Sequence, residues 1–278
     1  MKPYQNRIVV KVGTSTLTNE LGKSDLRCFD RLACVLSDIQ NMGYEVILVS
    51  SGAIAVGRNK LKMKTQPTSM RHKQAAAAVG QCSIMFLYDK FFGDYDKTIG
   101  QILLNAEDIE QEEKKDNLIN TFDALLEMGV IPIVNENDTV STEEIEFGDN
   151  DTLSAVVTAV VEGDLLILLT DIDGLYTDDP HKNPMAKLIS EVPVLDEKIG
   201  KMAKGAVTKV GTGGMETKIA AANIVTDAGA DMVIVNSDDL NNVNKVVAGE
   251  EVGTLFLAHK RPDFDFKKYL TERPYFKA

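Results

Sequence analysis

Two lysines from opposite ends of the chain each lie beside a glycine-containing turn, where a cation can face a ligand. Lys11 is near the end of a β-branched run at residues 7–12 and is followed by a turn that contains Gly13. Lys218 lies one turn into a helix that we expect to open after the glycine-rich residues 211–214. Helix starts of this kind bind phosphate groups. If both lysines converge, they could neutralise a phosphoryl group during its transfer, although a single lysine is usually a solvated surface charge.

A polar connection at residues 134–154 is the first candidate for a binding site. It follows an apolar strand signal at residues 130–134 and runs into a helical signal that begins near Asn150. Polar side chains between a strand's end and a helix's start lie where an open α/β sheet keeps its ligands. Asp and Asn are also ordinary turn and N-cap residues, but six in one connection favour a site. They are Asn135, Asn137, Asp138, Asp149, Asn150 and Asp151.

A turn of small residues follows the second strand signal, at residues 44–49. It contains Ser51, Gly52 and Ala53, whose backbone N–H groups we expect to point at a bound anion. A tight turn without any ligand explains the same residues equally well.

A further motif, Gly22-Lys23-Ser24, is similar to the end of a phosphate-binding loop. Leu17 stands where that loop requires a glycine, so we interpret the motif as a turn. Ser24 is then the predicted N-cap of a helix at residues 25–42, whose apolar side chains recur at helical spacing. They are Leu26, Phe29, Leu32, Ala33, Leu36 and Ile39.

No pairing of a nucleophile with a base is evident. His72, His181 and His259 are scattered, and the chain has no nucleophile elbow, zinc motif or dinucleotide-binding glycine pattern. An acceptor that is itself a carboxylate is ionised at neutral pH and needs no general base. The carboxylates of the polar connection could hold an amino group and orient the lysines, while Mg²⁺ bound mainly through nucleotide phosphates relieves the remaining repulsion.

Composition limits the class of protein. With 278 residues and a formal net charge of −12, the chain is long enough for one large α/β domain or two modest ones and is too acidic for a general nucleic-acid binder. Its three cysteines lack metal-site spacing and predict reduced, mostly packed thiols. The polar N-terminus predicts no signal peptide, and no apolar run reaches membrane-spanning length. We expect a soluble cytoplasmic protein that binds neither membranes nor nucleic acid.

Strand and helix signals alternate along the chain, which predicts an α/β fold with a largely parallel sheet and helices on both faces. Strands are predicted at residues 7–12, 44–49, 98–104, 130–134, 165–169, 232–235 and 253–258. Helices are predicted at residues 25–42, 71–92, 114–128 and 150–161, with a last one that ends at residue 228. We expect one domain over residues 1–260, with Gly163 as the boundary between two lobes, followed by a tail at residues 261–278.

Six motifs, each modest alone, occur in order between residue 8 and about residue 256. They are Lys11-Val12-Gly13-Thr14-Ser15, Ser51-Gly52-Ala53-Ile54, Asn135-Glu136-Asn137-Asp138, Gly148-Asp149-Asn150-Asp151, Leu169-Thr170-Asp171 with Gly174-Leu175-Tyr176, and Gly211-Thr212-Gly213-Gly214-Met215 with Thr217-Lys218. Their combination closely resembles the glutamate-phosphorylating members of the amino acid kinase family.

The resemblance implies a three-layer αβα sandwich with a mainly parallel open sheet. It implies ATP-dependent phosphorylation of the γ-carboxylate of L-glutamate to L-glutamyl 5-phosphate, the first step of proline biosynthesis. The acceptor would bind a lobe at about residues 1–162, and the nucleotide a lobe at about residues 163–260. Homo-oligomerisation and feedback inhibition by proline are also implied. Many members carry a C-terminal PUA module, and we expect this chain to lack it.

Residue roles follow from the resemblance position by position. Lys11 and Lys218 would stabilise the transferring phosphoryl group, and Asp151 would hold both lysines. The residues implied for glutamate, with Asp149 near its amino group, are Ser51, Gly52, Ala53, Asp138, Asp149 and Asn150. Those implied for ATP are Lys11, Gly13, Thr170, Asp171, Thr212, Gly213, Gly214, Met215, Glu216, Thr217 and Lys218. No residue is assigned to a metal.

Two alternatives stay open at this point. The first is a kinase of the same fold for another acceptor, such as acetylglutamate, aspartate, carbamate or a nucleoside monophosphate; the motif at residues 148–151 favours glutamate. The second is a nucleotide-binding sensor without catalysis, which the presence of Lys11, Lys218 and Asp151 disfavours.

Overall fold

The computed structural model describes residues 6–19, 21–140, 149–180, 182–196, 199–200, 214–262 and 264. Within these ranges, strands alternate with helices over most of the chain. The elements are β1 (Arg7–Val12), α1 (Thr14–Leu17), α2 (Leu26–Asn41), β2 (Glu45–Ser50), α3 (Ala53–Lys60), α4 (Met70–Asp94), β3 (Ile99–Leu104), α5 (Ala106–Glu110), α6 (Glu112–Glu127), β4 (Ile131–Glu136), α7 (Asn150–Val160), β5 (Leu165–Thr170), β6 (Glu191–Val192), α8 (Met215–Ala228), β7 (Asp231–Asn236), α9 (Asn242–Val247) and β8 (Thr254–Phe256).

The chain divides into two compact units. The middle unit is Val12–Asn150, and the terminal unit combines Met1–Lys11 with Asp151–Ala278. The chain passes from one unit to the other between Lys11 and Val12 and again inside the polar connection, between Asn150 and Asp151. The assignment of the acceptor and the nucleotide to separate lobes stays a prediction.

The middle unit contains three neighbouring parallel strands in the order β3-β4-β2. In this register Ile131 pairs with Ile99, and Ile133 pairs with Leu48. All six residues of β4 are buried. Continuous burial of this kind is typical of parallel strands whose two faces are both covered.

The strands of the terminal unit lie in the order β1-β5-β7-β8-β6. β5 is parallel to β7 and β6 is parallel to β8, whereas β7 and β8 are antiparallel. Residues 165–170 of β5 are all buried, as their continuous apolar run predicts. The predicted α/β class with a mainly parallel sheet is confirmed; among the five strand pairs named here for the described residues, only β7 and β8 are antiparallel.

Helices α3 and α4 approach each other closely through two glycines. A Cβ atom at Gly57 would lie 1.7 Å from the carbonyl oxygen of Ala76, and one at Gly80 would lie 1.7 Å from that of Ala53. No side chain fits into such a separation, so both positions require glycine for close approach of the backbones. This contact fixes the start of α3, which directly follows the Ser51 turn.

The predicted strands, and the four helices predicted with both bounds, agree with the observed elements to within two residues. The prediction of Ser24 as an N-cap is wrong, because the Asp25 carboxylate accepts the backbone N–H groups of Arg27 and Cys28 at 3.0 and 3.3 Å. Leu26, predicted on the apolar face of that helix, is 52% exposed. Five short elements were not predicted: α1, α3, α5, β6 and α9.

Candidate active site

The carboxylate of Asp151 contacts both of the lysines that lie beside glycine-containing turns. The Nζ atom of Lys11 is 2.7 Å from Asp151 Oδ1, and the Nζ atom of Lys218 is 3.1 Å from Asp151 Oδ2. The hydroxyl of Thr217 donates to the same Oδ2 atom at 2.9 Å. Within the terminal unit, the Asp151 carboxylate thus connects the β1 residue Lys11 with Thr217 and Lys218 at the start of α8.

Each of these side chains lies near the end of an element. Lys11 is the penultimate residue of β1, Asp151 lies in the first turn of α7, and Lys218 lies in the first turn of α8. The N-terminal end of a helix carries a partial positive charge, which stabilises a carboxylate such as Asp151. Polar groups at the ends of strands and helices are where α/β sheets hold ligands.

All three charged side chains of this cluster are buried. Asp151 is 1% exposed, Lys218 is 6% exposed and Lys11 is 8% exposed. One carboxylate faces two ammonium groups, so the cluster carries a net positive formal charge. A buried charge without a counter-charge is unfavourable. The cluster therefore favours binding of an anionic group.

The Asp151 carboxyl is ionised at any physiological pH. Burial alone would raise its pKa, but the ammonium groups of Lys11 and Lys218, with hydrogen bonds from Lys11 and Thr217, hold the pKa well below its usual range. A carboxylate in this state does not take up a proton at neutral pH. Its chemical role is to hold two ammonium groups in place.

Polar groups also collect where β5 and β7 end. The hydroxyl of Thr170 donates to Asp171 Oδ1 at 3.1 Å, and the Thr170 carbonyl accepts the backbone N–H of Ser237 at 2.7 Å. Thr170 pairs with Asn236 across the two parallel strands. Both predicted residues thus lie at the carboxyl edge of the sheet, where a nucleotide would be expected.

Two neighbours of this edge were missing from the predicted site. Asn236 Nδ2 donates to Asp173 Oδ1 at 2.8 Å, and the hydroxyl of Tyr176 donates to Asp173 Oδ2 at 3.0 Å. Asn236 ends β7, so the strand-end rule that identified Thr170 could have identified it. Asp173 gives no such signal because it lies inside a loop.

Three side-chain amides form a connected network in the middle unit. Asn150 Nδ2 donates to the carbonyl of Ser50 at 2.8 Å and to Asn135 Oδ1 at 2.9 Å. Asn135 Nδ2 in turn donates to Gln81 Oε1 at 3.0 Å. The Ser50 hydroxyl lies 2.8 Å from the hydroxyl of Tyr88, and burial raises the pKa of Tyr88 well above its usual value. Gln81 and Tyr88 were missed because α4 was recognised only as a helix.

The turn after β2 differs in part from its prediction. The backbone N–H of Ser51 donates to the carbonyl of Val12 at 3.2 Å, so the expectation that it points at a ligand is wrong. Gly52 is the N-cap of α3 with φ of 99°, a left-handed conformation that favours glycine. A Cβ atom there would meet Ile84 at 3.7 Å, so the backbone conformation and not the space requires glycine.

The remaining predicted residues occupy the positions that their motifs suggest. Asp138 follows β4 and Asp149 directly precedes α7, and both side chains are half-buried. Gly13 is the N-cap of α1. Gly214 is the N-cap of α8, which begins with the buried Met215 and the exposed Glu216. Four residues of the motifs lie outside the described residues: Gly148, Gly211, Thr212 and Gly213.

The histidines do not cluster with these groups where the structure describes them. His72 Nδ1 lies 2.7 Å from the hydroxyl of Ser69, and His259 Nε2 lies 2.7 Å from Asp227 Oδ1. His181 lies outside the described residues. Over the described ranges, no group of three or more His, Cys, Asp or Glu side chains could hold a metal ion.

The cysteines are less packed than expected. Cys28 and Cys34 are half-buried, whereas Cys82 is exposed, so the prediction of a packed thiol is wrong for Cys82. Burial and the nearby Asp25 carboxylate raise the pKa of Cys28 to about 11, which keeps this thiol protonated and unreactive. In the same described ranges, none of the helices combines the length and apolar character needed to span a membrane.

Comparison with known proteins agrees with this fold. The amino acid kinase family matches residues 6–236. A glutamate 5-kinase of Clostridium perfringens is 50% identical over 258 residues, which cover 91% of this chain and 96% of that protein. A glutamate 5-kinase of Carboxydothermus hydrogenoformans is 52% identical over 256 residues, which cover 92% of this chain and 68% of that protein.

A solved structure supports the same fold at low sequence identity. The UMP kinase from Bacillus anthracis superposes with a TM-score of 0.63 at 16% identity, and the match covers 92% of this chain and 97% of that one. The family match over residues 6–236 covers well over half of the 278 residues, so the chain belongs to the amino acid kinase family.

Proposed function

We propose that this chain transfers the γ-phosphoryl group of ATP to the γ-carboxylate of L-glutamate, with L-glutamyl 5-phosphate and ADP as products. The observation that carries the proposal is the buried cluster of Lys11, Lys218 and Asp151, with two ammonium groups on one carboxylate. About half of the aligned residues are identical to those of two glutamate 5-kinases, which supports glutamate as the acceptor.

The reaction needs no general base. An oxygen of the γ-carboxylate attacks the γ-phosphorus, and the bond from that phosphorus to the bridging oxygen of ADP breaks. Because the attacking carboxylate is already ionised, no proton is removed from it. Catalysis then rests on alignment of the two oxygens and on neutralisation of charge.

The two lysines perform the electrostatic part of this reaction. Lys11 and Lys218 would contact oxygens of the transferring group and of the bridging position, where negative charge develops. Asp151 keeps both ammonium groups oriented while leaving the cluster with a net positive charge. The residues at the N-terminus of α8, which precede Lys218, would donate backbone N–H groups to the nucleotide phosphates.

Residues at strand ends would bind the two substrates. Thr170 and Asp171 would contact the nucleotide, while Ser51, Asp138 and Asn150 would contact glutamate. Asp149 would attract the α-ammonium group of glutamate. The acceptor residues belong to the middle unit, and the proposed nucleotide residues Thr170, Asp171 and Lys218 belong to the terminal unit.

Magnesium fits this arrangement as a companion of the nucleotide. Mg²⁺ takes oxygen ligands and is usually bound through one or two carboxylates and substrate phosphates. The only carboxylate of the cluster, Asp151, is occupied by two lysines, so phosphate oxygens and water would supply most ligands. When bound, the ion would neutralise charge on the β- and γ-phosphates.

Three further properties are proposed from the family resemblance. They are assembly into a homo-oligomer, feedback inhibition by proline and residence in the cytoplasm. The molecular mass in solution would test assembly into a homo-oligomer, and the effect of added proline on initial rates would test feedback inhibition.

A panel of acceptors in an ADP-release assay tests the substrate assignment. L-glutamate, N-acetyl-L-glutamate, L-aspartate, carbamate and UMP are each supplied with MgATP. We expect ADP release only with L-glutamate. Release with another acceptor and none with L-glutamate would overturn the assignment while keeping the kinase reaction.

A further inference from the structure

The hydrogen bonds between the three side-chain amides of the middle unit all run in the same direction from donor to acceptor. Gln81 Oε1 accepts from Asn135 Nδ2 at 3.0 Å, and Asn135 Oδ1 accepts from Asn150 Nδ2 at 2.9 Å. The same Asn150 nitrogen donates to the Ser50 carbonyl at 2.8 Å. Gln81 and Asn135 therefore each accept a hydrogen bond on the side-chain oxygen, and the donors point from Asn150 through Asn135 towards Gln81.

This direction decides which atom of Asn150 is available to a ligand. A side-chain amide has two N–H donors and one carbonyl acceptor. Both N–H groups of Asn150 are used by Ser50 and Asn135. In the described part of the chain, no hydrogen bond ends on Asn150 Oδ1. The half-buried Asn150 thus offers an acceptor, which suits a cationic donor.

The Ser50 carbonyl, which can only accept, fixes the direction at one end of the network, and Gln81 Oε1 supplies the matching acceptor at the other end. The amide of Asn135 could equally be placed the other way round, with its nitrogen towards Asn150. That orientation would set two N–H groups against each other at Asn150, whose nitrogen is held by the Ser50 carbonyl, and would leave Gln81 Oε1 facing an oxygen instead of a donor. Asn135 is only 4% exposed, so water does not relieve such a mismatch.

We propose that Gln81 is a positioning residue that holds Asn150 Oδ1 ready to accept a hydrogen bond from the α-ammonium group of the acceptor. The inference rests on the proposed function, because it takes an α-amino acid as the acceptor. An ammonium group has three donors and no acceptor, so it pairs with the oxygen of Asn150 and not with its nitrogen. Hydrogen bonds to charged groups are also stronger than neutral ones.

Three substitutions of Gln81 distinguish an effect on the orientation of the Asn135 and Asn150 amides from an effect on packing. Gln81→Glu keeps an acceptor for Asn135, Gln81→Met keeps the length of the side chain without an acceptor, and Gln81→Lys supplies only donors. The control is Gln101→Met, which makes the same chemical change at an exposed residue of β3. The assay is ADP release by the full chain, with KM measured separately for glutamate and for ATP.

The expected order of KM for glutamate follows the hydrogen-bonding capacity of residue 81. Gln81→Glu stays within about threefold of the unaltered chain, whereas Gln81→Met raises KM about tenfold, the loss expected when a hydrogen bond to a charged group is weakened. Gln81→Lys raises KM further because it favours the reversed amide. The KM for ATP, the kcat and the Gln101→Met control do not change.

Equal increases in KM for all three variants would show a packing role, and no increase in any of them would show no role; either result overturns the proposal. If Gln81→Lys does not fold, the KM values for glutamate of Gln81→Glu and Gln81→Met still distinguish an orienting role from a packing role. If the unaltered chain releases no ADP with glutamate, the proposed function itself is wrong, which is a separate result.

Discussion

The Nζ atom of Lys11 lies 2.7 Å from Oδ1 of Asp151, and both side chains are almost fully buried. Such a pair gains from Coulomb attraction in a low-dielectric environment but must offset the desolvation of both groups. With Lys218 on the other oxygen, the carboxylate is outnumbered by ammonium groups. In the proposed reaction, the transferring phosphoryl group would supply the negative charge that balances the second ammonium group.

Replacement of Lys218 by alanine should remove activity while the fold survives. Asp151 keeps Lys11 as a partner in Lys218→Ala, so no buried carboxylate is left unpaired. We expect kcat to fall by about a hundred- to a thousandfold, as when one stabilising donor is removed from a developing charge. ADP release and circular dichroism measure the two effects. Lys115→Ala, which removes a surface lysine paired with Glu112, is the control and should leave kcat unchanged. Near-normal turnover of Lys218→Ala would show that Lys218 does not stabilise the transferring phosphoryl group.

The pH dependence of stability should report on Asp151. Its pKa in the folded state lies below the unfolded value, so its stabilising contribution is present above the unfolded pKa of about 3.9 and is lost as the pH falls towards the folded pKa. Asp151→Asn should therefore lower the free energy of unfolding by about 3 kcal/mol at neutral pH.

Urea unfolding at several pH values measures this difference. The gap between the unaltered chain and Asp151→Asn should be constant from about pH 8 to pH 5 and should shrink below about pH 4. A gap that widens on acidification would mean that the pKa of Asp151 is raised and not lowered.

Alanine substitutions at two glycines with positive φ distinguish backbone strain from an effect on acceptor binding. Gly52 and Gly43 have φ of 99° and 95°, and a Cβ atom at either position meets no atom closer than 3.7 Å. Gly52→Ala and Gly43→Ala should each destabilise the chain by about 1–2 kcal/mol, the cost of a Cβ in the left-handed region. Only Gly52→Ala should also raise the KM for glutamate, because it alters the turn next to Ser51. Equal KM values for both variants would exclude this turn from acceptor binding.

The contact between α3 and α4 predicts that alanine substitutions at two glycines of α4 have very different effects on the free energy of unfolding. In Gly80→Ala, the new Cβ atom would lie 1.7 Å from the carbonyl oxygen of Ala53, so the helices must separate. We expect a loss of at least about 3 kcal/mol in the free energy of unfolding, at the upper end of overpacking effects. Gly93→Ala near the end of α4 meets nothing within 4 Å and should stabilise by about 0.5 kcal/mol. Similar melting temperatures for the two variants would contradict this packing.

Much of the fold could be predicted from the sequence because long apolar runs and helical periodicity survive in the folded chain. β5 is an example, since its continuous apolar run is fully buried. Short elements such as α3 lack enough residues to show a period. The N-cap of α2 was misassigned because Ser24 and Asp25 are both suitable capping residues, and only the geometry distinguishes them.

The candidate site could be predicted in part. Lys11, Asp151 and Lys218 were singled out by residue type and by position near turns, and the structure brings them together. Gln81 gave no signal, because one polar residue on an Ala-rich helix is indistinguishable from a solvated one. Its role depends on the direction in which amides are paired, which is a property of three-dimensional geometry alone.

Trapping of the product with hydroxylamine tests the central claim most directly. The chain is incubated with L-glutamate, MgATP and hydroxylamine, and γ-glutamyl hydroxamate and ADP are quantified together. An acyl phosphate reacts with hydroxylamine, so phosphoryl transfer to the γ-carboxylate predicts hydroxamate and ADP in equal amounts, with both lost in Lys218→Ala. ATP binding without hydroxamate, or ADP release without hydroxamate, would contradict the account.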